Sequence, residues 1–172
     1  MNFSIREASE KDYKKICELF RGADVLRHKN LPHVFRGAGG PKETKKFISG
    51  IIANKDAALF VAERGCEIIG AILVLLRETS GNSIMMPRRY AWIGDLVLRE
   101  KFRRSGVGRS LVEKAHQWPL GKGVSQVELN VWEFNKEAII FFKILGYKTI
   151  KRTMQRSLHN ICDDFPIRRI KR

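Results

Sequence analysis

A short glycine turn between a strand pattern and a helix pattern is the segment of the chain best suited to bind a ligand. It reads Arg103-Arg104-Ser105-Gly106-Val107-Gly108-Arg109. Glycines let the backbone approach a ligand closely, and the N–H groups of a first helical turn attract anions at the positive end of the helix dipole. The three arginines add charge that suits a pyrophosphate. The turn therefore predicts a site for a diphosphate; the alternative is a helix entry with purely structural glycines.

Two common nucleotide-binding patterns do not match this turn. A P-loop needs a glycine, four further residues and then Gly-Lys followed by Ser or Thr, and the chain contains no such run. A dinucleotide-binding fold places its first glycine at the strand end and a third glycine three positions after the second. Here residues 99–105 separate Leu98 from Gly106, and position 111 is leucine. Glu128 alone has the spacing of a ribose-binding acid, so neither pattern is predicted.

A second segment, residues 128–147, adds to the pattern of the turn. It reads ELNVWEFNKEAIIFFKILGY. Together the two segments resemble the GNAT family of N-acetyltransferases. In that family a strand, an Arg/Gln-x-x-Gly-x-Gly/Ala loop and a helix bind the pyrophosphate of acetyl-CoA, and Asn-x-x-Ala-x-x-Phe-Tyr-x-x-x-Gly-Phe/Tyr is the second shared segment. The resemblance covers nearly the whole chain, from Phe3 to about Met154.

The resemblance implies a fold and a set of contacts with acetyl-CoA as co-substrate, without a metal. The fold is α/β (α+β), the GNAT acyl-CoA N-acyltransferase fold: a central mixed sheet of about six or seven strands, splayed between strands 4 and 5 and flanked by about four helices. The glycine turn surrounds the pyrophosphate, Asn135 lies near the sulfur, and Phe142 contacts the pantetheine arm. The strand end that pairs with this arm consists of Leu96, Val97 and Leu98.

The implied reaction is direct transfer of an acetyl group from acetyl-CoA to a primary amine within a ternary complex. It needs a neutral amine, a thiolate leaving group and a stabilised oxyanion, for which preorganised backbone donors supply roughly 3 kcal/mol. The family's usual acid for the thiolate is a tyrosine in the second segment, and here that position is Phe142. We expect Phe142 to keep the aromatic contact and to lose the acid role.

Asp95 is the candidate general base, because it directly precedes the strand end that pairs with the co-substrate. Strict alternation along the strand places it on one face with Ile93 and Val97, both apolar. The alternative is a structural carboxylate that forms a salt bridge with one of the many arginines. Glu133 and Asn130, at the end of the next strand, are weaker candidates, and Asn130 has no titratable group.

Other reactive side chains are isolated in the sequence. His28 and His33 lie in a predicted loop, where the resemblance places the acceptor site, and either could carry protons near pH 7. A single loop histidine is, however, more often a surface residue. The chain has no HExxH or CxxC spacing for zinc, and Ser110 lacks the Gly-x-Ser-x-Gly context of a hydrolase nucleophile. Neither zinc nor serine-hydrolase chemistry is predicted.

The elements that must position these residues alternate between strand and helix patterns. Helical spacing of apolar residues predicts helices over Tyr13–Gly22, Lys42–Ala53, Gly106–Pro119 and Asn135–Gly146. Strand patterns cover Phe3–Arg6, Ala57–Glu63, Glu67–Leu76, Arg89–Leu98, Gln126–Trp132 and Tyr147–Met154. Loops are expected at 24–41 and 78–88. The resulting order, βα(α)βββαβαβ, predicts a mixed sheet with helices on both faces.

The composition is typical of one soluble domain. With 172 residues, 44% of them hydrophobic, the chain is long enough to bury about 70% of its unfolded surface. Three widely spaced cysteines argue against a disulfide framework and favour a reducing cytoplasm. The longest apolar run, Ile68–Leu76, is about half of a membrane span, and residues 1–20 lack a signal-peptide core. We expect a cytoplasmic monomer or homodimer without membrane contact, with an acetyltransferase domain at 1–154 and a basic extension, strand or mobile tail, at 155–172.

The charge allows a second interpretation. The chain has 33 Lys and Arg against 18 Asp and Glu, a net charge of +15. Such an excess suggests a polyanionic partner, but no stretch has the dense basic and aromatic pattern of a single-strand binder, so nucleic acid is not the favoured partner. The alternative function is a catalytically weak basic module of the same fold that binds CoA or nucleic acid. The charge also disfavours cationic acceptors and mildly favours an acidic small molecule or a protein N-terminus.

Overall fold

The computed structural model describes residues 2–37 and 41–156, with side chains described throughout except at 41–44. The chain divides into two units, residues 1–136 and 137–172. The first unit contains β1 (Ser4–Glu7), α1 (Tyr13–Asn30), α2 (Pro41–Ala53), β2 (Ala57–Arg64), β3 (Glu67–Thr79), β4 (Arg88–Leu98), α3 (Val107–Leu120) and β5 (Val127–Leu129). Short 3-10 turns, Glu10–Asp12 and Glu100–Phe102, precede α1 and α3. Apart from its first residue, α4 (Lys136–Ile144) lies in the second unit.

The five strands of the described residues form one mixed sheet in the order β1-β2-β3-β4-β5. The first four pair antiparallel, and β5 pairs parallel with β4. That last pairing covers three residues only, Ala91–Ile93 of β4 with Val127–Leu129 of β5. On the opposite edge, β4 stays paired with β3 as far as Leu98. The predicted separation of strands 4 and 5 is therefore confirmed.

Alternation along β2 and β3 divides their apolar side chains between the two faces of the sheet. On one face, Leu59, Val61, Ala71 and Leu73 pack with Ile16 and Leu19 of α1 and with Ile48 and Ile51 of α2. Phe60 turns to the opposite face, where Lys114 of α3 lies over its ring. Each buried Leu, Ile, Val or Phe side chain among them contributes about 1.5–3 kcal/mol. The hydrophobic effect thus holds helices on both faces, as the sequence predicts.

The first helix is longer than its sequence pattern predicts. It continues past Gly22 to Asn30, and the N–H of Leu31 donates to the carbonyl of Arg27 at 2.9 Å. An internal glycine costs only about 1 kcal/mol, which good helix formers on both sides of it can offset. The loop predicted from residue 24 is therefore wrong over its first seven residues, and His28 lies on a helix. His33 lies in the turn that follows.

The sheet has fewer strands than the predicted six or seven. β5 is three residues long instead of spanning Gln126–Trp132, because its pairing stops where the strands part. The segment Tyr147–Met154 forms no strand, and Ile150 is 74% exposed. A predicted strand forms only when one face is buried and its edge is paired with another strand. The predicted extension, 155–172, lies outside the described residues beyond Arg156.

In the second unit, α4 ends where Gly146 predicts. The N–H of Tyr147 donates to the carbonyl of Phe142, and that of Gly146 to the carbonyl of Lys143, both at 3.0 Å. Together with φ +89° at Gly146, these two bonds form a Schellman motif. The motif folds the Tyr147 ring back onto Phe142, with centroids 5.3 Å apart. Burial raises the pKa of Tyr147 to about 12.

Within the described ranges, no helix combines the length and the apolar character that a bilayer crossing requires.

Candidate active site

The turn before α3 has an unusual backbone. Gly106 has φ +87°, and among the described residues Arg104, at φ +59°, is the one non-glycine residue with a positive φ. An L-residue in this region costs about 1–2 kcal/mol, so the surrounding structure must impose it. The Ser105 hydroxyl donates to the carbonyl of Phe102 at 2.6 Å and ties the turn to the end of the preceding 3-10 turn. Successive N–H groups in such turns form concave anion sites.

The N-terminus of α3 continues this anion-binding geometry. Its first hydrogen bond runs from the N–H of Ser110 to the carbonyl of Gly106, at 3.1 Å. The N–H groups of Val107, Gly108 and Arg109 therefore have no acceptor within the helix and lie at its positive end. The side chains that flank them with positive charge are exposed: Arg103, Arg104 and Arg109. These donors and charges fit a pyrophosphate group.

The end of β4 leads directly into the turn. Leu96, Val97 and Leu98 pair with Ile72, Ala71 and Gly70 of β3 and are partly exposed. Beyond Ile93, the other edge of β4 has no partner on β5, and we call this stretch the open edge of β4. Arg99 follows, its N–H donating to the carbonyl of Ile69 at 2.9 Å. The end of β4 that lies beyond its pairing with β5 and the anion-binding turn therefore form one continuous segment.

A bulge at Gly94 changes the face on which Asp95 lies. Asp95 pairs with Leu73 and Ile93 pairs with Val74, so Gly94 has no counterpart on β3. Because neighbouring residues of β3 face opposite sides of the sheet, Asp95 and Ile93 also face opposite sides. The predicted grouping of Asp95 with Ile93 is therefore wrong. Asp95 shares a face with Val97 instead, and this is the face covered by α1 and α2.

On that face Asp95 meets an arginine of α1. Arg27 donates from Nη2 to Oδ1 of Asp95 and from Nη1 to Oδ1 of Asp24, the latter at 3.0 Å. Burial alone would lower the pKa of Arg27, but the charges and hydrogen bonds of Asp95 and Asp24 outweigh this effect and raise it. The salt bridge that the sequence left as an alternative for Asp95 is present. Nothing in the pattern of α1 distinguished Arg27 from the other arginines.

Three aromatic rings lie beside the point where β4 and β5 part. Trp132 follows the end of β5 and is 44% exposed. Its ring stands edge-on to Phe35, with centroids 5.1 Å apart, and is stacked with Phe134 at 6.5 Å. Nδ1 of His28 lies 2.8 Å from the carbonyl of Phe35. Arg27, near the end of α1, thus contacts β4, and Phe35, in the segment after α1, contacts Trp132 in the segment after β5. The sequence patterns did not predict these contacts.

The remaining predicted site residues lie in two places. Asn135 directly precedes α4, and its N–H donates to the carbonyl of Trp132 at 2.8 Å. Asn130 and Glu133 are exposed, and the Glu133 carboxylate pairs with Lys136. Phe142 belongs to the second unit, where it is 8% exposed and contacts the rings of Phe141 and Tyr147. In the part of the chain that the structure describes, no three His, Cys, Asp or Glu side chains cluster as metal ligands.

The sequence pattern of the acetyltransferase (GNAT) family matches residues 24–147. This range includes α1 from Asp24, the whole of β4, the anion-binding turn and α4. The chain therefore belongs to the GNAT acetyltransferase family, as its two motifs predict.

Individual relatives show how far the likeness extends. A thialysine N-epsilon-acetyltransferase from Caenorhabditis elegans is 28% identical over 90 residues, which are 49% of this chain and 56% of the worm protein. This chain thus spans just over half the length of that relative. A tetramutant of the BH1408 protein from Bacillus halodurans has a TM-score of 0.82 at 25% identity, covering 90% of this chain and 99% of that one. The CoA complex of the aminoglycoside N-acetyltransferase AAC(6')-Iy shares the fold, with a TM-score of 0.70 at 18% identity over 92% of this chain and 95% of that one.

Proposed function

We propose that this protein transfers an acetyl group from acetyl-CoA to the primary amine of a small molecule, directly within a ternary complex. The observation that carries the proposal is the continuous segment from Gly94 to Arg109. It joins a strand edge without a β5 partner to a turn and helix start whose N–H groups lack helical acceptors. A ligand with amides on one part and a diphosphate on another matches this order of donors.

Different residues of this segment would bind different parts of acetyl-CoA. The N–H groups of Val107, Gly108 and Arg109 would hold the pyrophosphate, with the exposed arginines of the turn neutralising its charge. The open edge of Leu96–Leu98 would pair with the pantetheine amides. A protein of the same fold, AAC(6')-Iy, has been crystallised with CoA, which supports this choice of ligand. Asn135 and Phe142 keep their predicted places near the sulfur and the arm as part of the proposal.

Asp95 is the proposed base for the reaction. Arg27 occupies its Oδ1, which leaves Oδ2 to accept the proton of an amine that attacks the thioester carbonyl. Backbone N–H groups of the open β4 edge would stabilise the oxyanion, an effect of roughly 3 kcal/mol for one well-placed donor. Acetyl-CoA supplies an activated carbonyl and a thiolate leaving group. Since Phe142 has no proton to give, the sulfur leaves as thiolate or is protonated by water.

We propose a small-molecule amine as the acceptor in preference to a protein N-terminus. The C. elegans relative takes its name from thialysine, and AAC(6')-Iy takes its name from aminoglycosides; both are small amines. The net charge of +15 disfavours cationic acceptors, but it is a property of the whole molecule and not of the candidate site. Near the end of α1, Asp24 and Asp95 share the guanidinium of Arg27, so these three groups together carry a charge of −1. The domain bounds 1–154, the cytoplasmic location and the oligomeric state remain predictions.

An acceptor screen tests the proposal. The purified chain would be incubated with acetyl-CoA and one amine at a time: thialysine, lysine, an aminoglycoside, spermidine, glutamate and a peptide with a free N-terminus. We expect thiol release with at least one small amine, with an acetylated product of matching amount in the mass spectrum. Binding of CoA without turnover on any amine, together with steeply salt-dependent RNA binding, would favour the basic binding module instead. No CoA binding at millimolar concentration would contradict both.

A further inference from the structure

The last two turns of α1 carry an ion cluster that connects the helix to the candidate base. Arg27 lies between Asp24, three residues before it on α1, and Asp95 on β4. The side chains of Arg27 and Asp95 are 28% and 26% exposed, so water screens the pair only in part. The contact is thus an ion pair between α1 and β4, in addition to the apolar packing of the helix.

The guanidinium is fixed at two points. Its Nη1 bonds Asp24 and its Nη2 bonds Asp95, so each carboxylate takes one nitrogen. The bond to Asp24 restricts the guanidinium on one side while its other nitrogen donates to Asp95. Asp95 accepts this bond on Oδ1 alone. Its second oxygen is left for another donor.

Two features that break local sequence patterns bring the pair together. The bulge at Gly94 moves Asp95 to the face that α1 covers. The continuation of α1 past Gly22 carries Arg27 above that face. Neither feature is required by the apolar pattern of the strands or of the helix, and each is necessary for the contact.

We propose that Arg27 is a positioning residue: it orients the Asp95 carboxylate so that Oδ2 faces the incoming amine, while Asp24 orients Arg27. The proposal rests on the proposed function, in which Asp95 accepts the proton of the amine. A merely structural salt bridge at this exposure contributes little to stability and leaves the rate of the reaction unchanged. A positioning residue acts on kcat through Asp95, because a base displaced by about 1 Å loses up to 10²-fold in rate.

A double-mutant cycle separates these two roles. Arg27→Gln is made in the wild-type chain and in Asp95→Asn, and kcat and the KM for acetyl-CoA are measured with the best amine of the acceptor screen. We expect Arg27→Gln to lower kcat by roughly 10- to 100-fold in the wild type with little change in that KM. In the Asp95→Asn background we expect less than about a twofold further loss, since coupled residues are not additive. Arg27→Lys, which keeps the charge and can bond both carboxylates, should recover most of kcat.

A similar cluster at the other end of β4 provides the matched control. Arg89 lies between Glu78, at 3.0 Å, and Asp56, at 3.9 Å, about 20 Å along the strand from Asp95 at 3.3 Å per residue. Arg89→Gln removes the same charge there and should leave kcat unchanged. An Arg27→Gln variant with normal kcat, or with an equal loss in both backgrounds, would overturn the positioning role. A wild-type chain that acetylates no amine would instead contradict the proposed function, and Asp95→Asn with normal kcat would contradict the assignment of the base.

Discussion

Each end of α1 is joined to the sheet by one arginine–carboxylate pair, and the two pairs differ in how fully the carboxylate is used. At the N-terminal end, Asp12 is 5% exposed and accepts bonds from Arg6 Nη1 and Nη2 at 2.8 and 3.0 Å. The N–H and hydroxyl of Ser9 add two more, at 2.8 and 3.0 Å. At the C-terminal end, Asp95 accepts from Arg27 on one oxygen.

This difference indicates what each carboxylate can do. Asp12 has both oxygens occupied in a dry site, so its charge stabilises the fold and is closed to substrates. Asp95 is partly exposed, retains an oxygen and lies at the start of the open strand edge. A salt bridge therefore does not argue against a functional role. The number of bonds to the carboxylate and its exposure distinguish a structural pair from one that can take part in a reaction.

The largest effect should come from the C-terminal pair. Asp95→Asn keeps the shape and the bond to Arg27 but cannot accept a proton, so we expect kcat to fall by about 10³-fold. The free energy of unfolding should change by less than about 1 kcal/mol, because the partly exposed pair contributes little to stability. Steady-state kinetics and urea unfolding measure the two quantities. A kcat within threefold of the wild type would mean that another group is the base.

The N-terminal pair should show the opposite result. Asp12→Asn is expected to lower the free energy of unfolding by roughly 2 kcal/mol at pH 7 and to leave kcat unchanged. The hydrogen bonds of Arg6 hold the pKa of Asp12 well below its usual range. Its contribution is therefore fully present above the unfolded pKa of about 3.9 and is lost as the pH falls through the lower folded pKa.

Urea unfolding between pH 7 and pH 2 tests this sign. The difference in stability between wild type and Asp12→Asn should shrink as the pH falls. Glu10→Gln, at an exposed position in the same turn, serves as the control and should change the free energy of unfolding by a small amount only. A difference between wild type and Asp12→Asn that stays constant with pH would show that the Arg6 contacts do not stabilise the charged carboxylate.

The smallest effect concerns the protonation of the thiolate that leaves in the reaction. If Asp95 removes a proton from the amine and nothing in the second segment returns one to sulfur, a phenol at position 142 should help. We expect Phe142→Tyr to raise kcat about threefold, below the full effect of a positioned acid, because position 142 is buried against two rings. Phe141→Tyr in the same helix is the matched control. An unchanged kcat would indicate that protonation of sulfur does not limit the rate.

The sequence predicts the parts of the site that are built from backbone. The Arg103–Arg109 turn, the start of α3 and the parting of β4 from β5 follow from glycine positions and from a family resemblance carried by contiguous motifs. The Gly146 stop of α4 is equally local, since a glycine at a helix end needs no partner from elsewhere in the chain. The positions of the turn, of the start of α3 and of the end of α4 are confirmed, because the interactions that form them are short in sequence. The parting of β4 from β5 is also present, whereas the binding of CoA by this segment stays a proposal.

The contacts between distant side chains were not predictable in the same way. Arg27 and Asp95 are 68 positions apart, and their meeting depends on a bulge and on a helix that passes through a glycine. Both are decided by tertiary packing, which overrides local propensity. Phe35 and Trp132 likewise meet only because the turn after α1 lies beside the end of β5. The segment Tyr147–Met154 shows the converse, a segment predicted as a strand that forms none.

The central claim is that the backbone from Gly94 to Arg109 binds CoA, and backbone amide NMR during a CoA titration tests it most directly. We predict shifts at Leu96–Leu98 and Val107–Arg109, with residues 88–93 of β4 unchanged. Gly106→Val should abolish the shifts. Gly123→Val, at φ +73° with the same open surroundings as Gly106 at +87°, carries similar strain and should retain them. Saturable shifts confined to other parts of the chain, or none at millimolar CoA, would contradict the account.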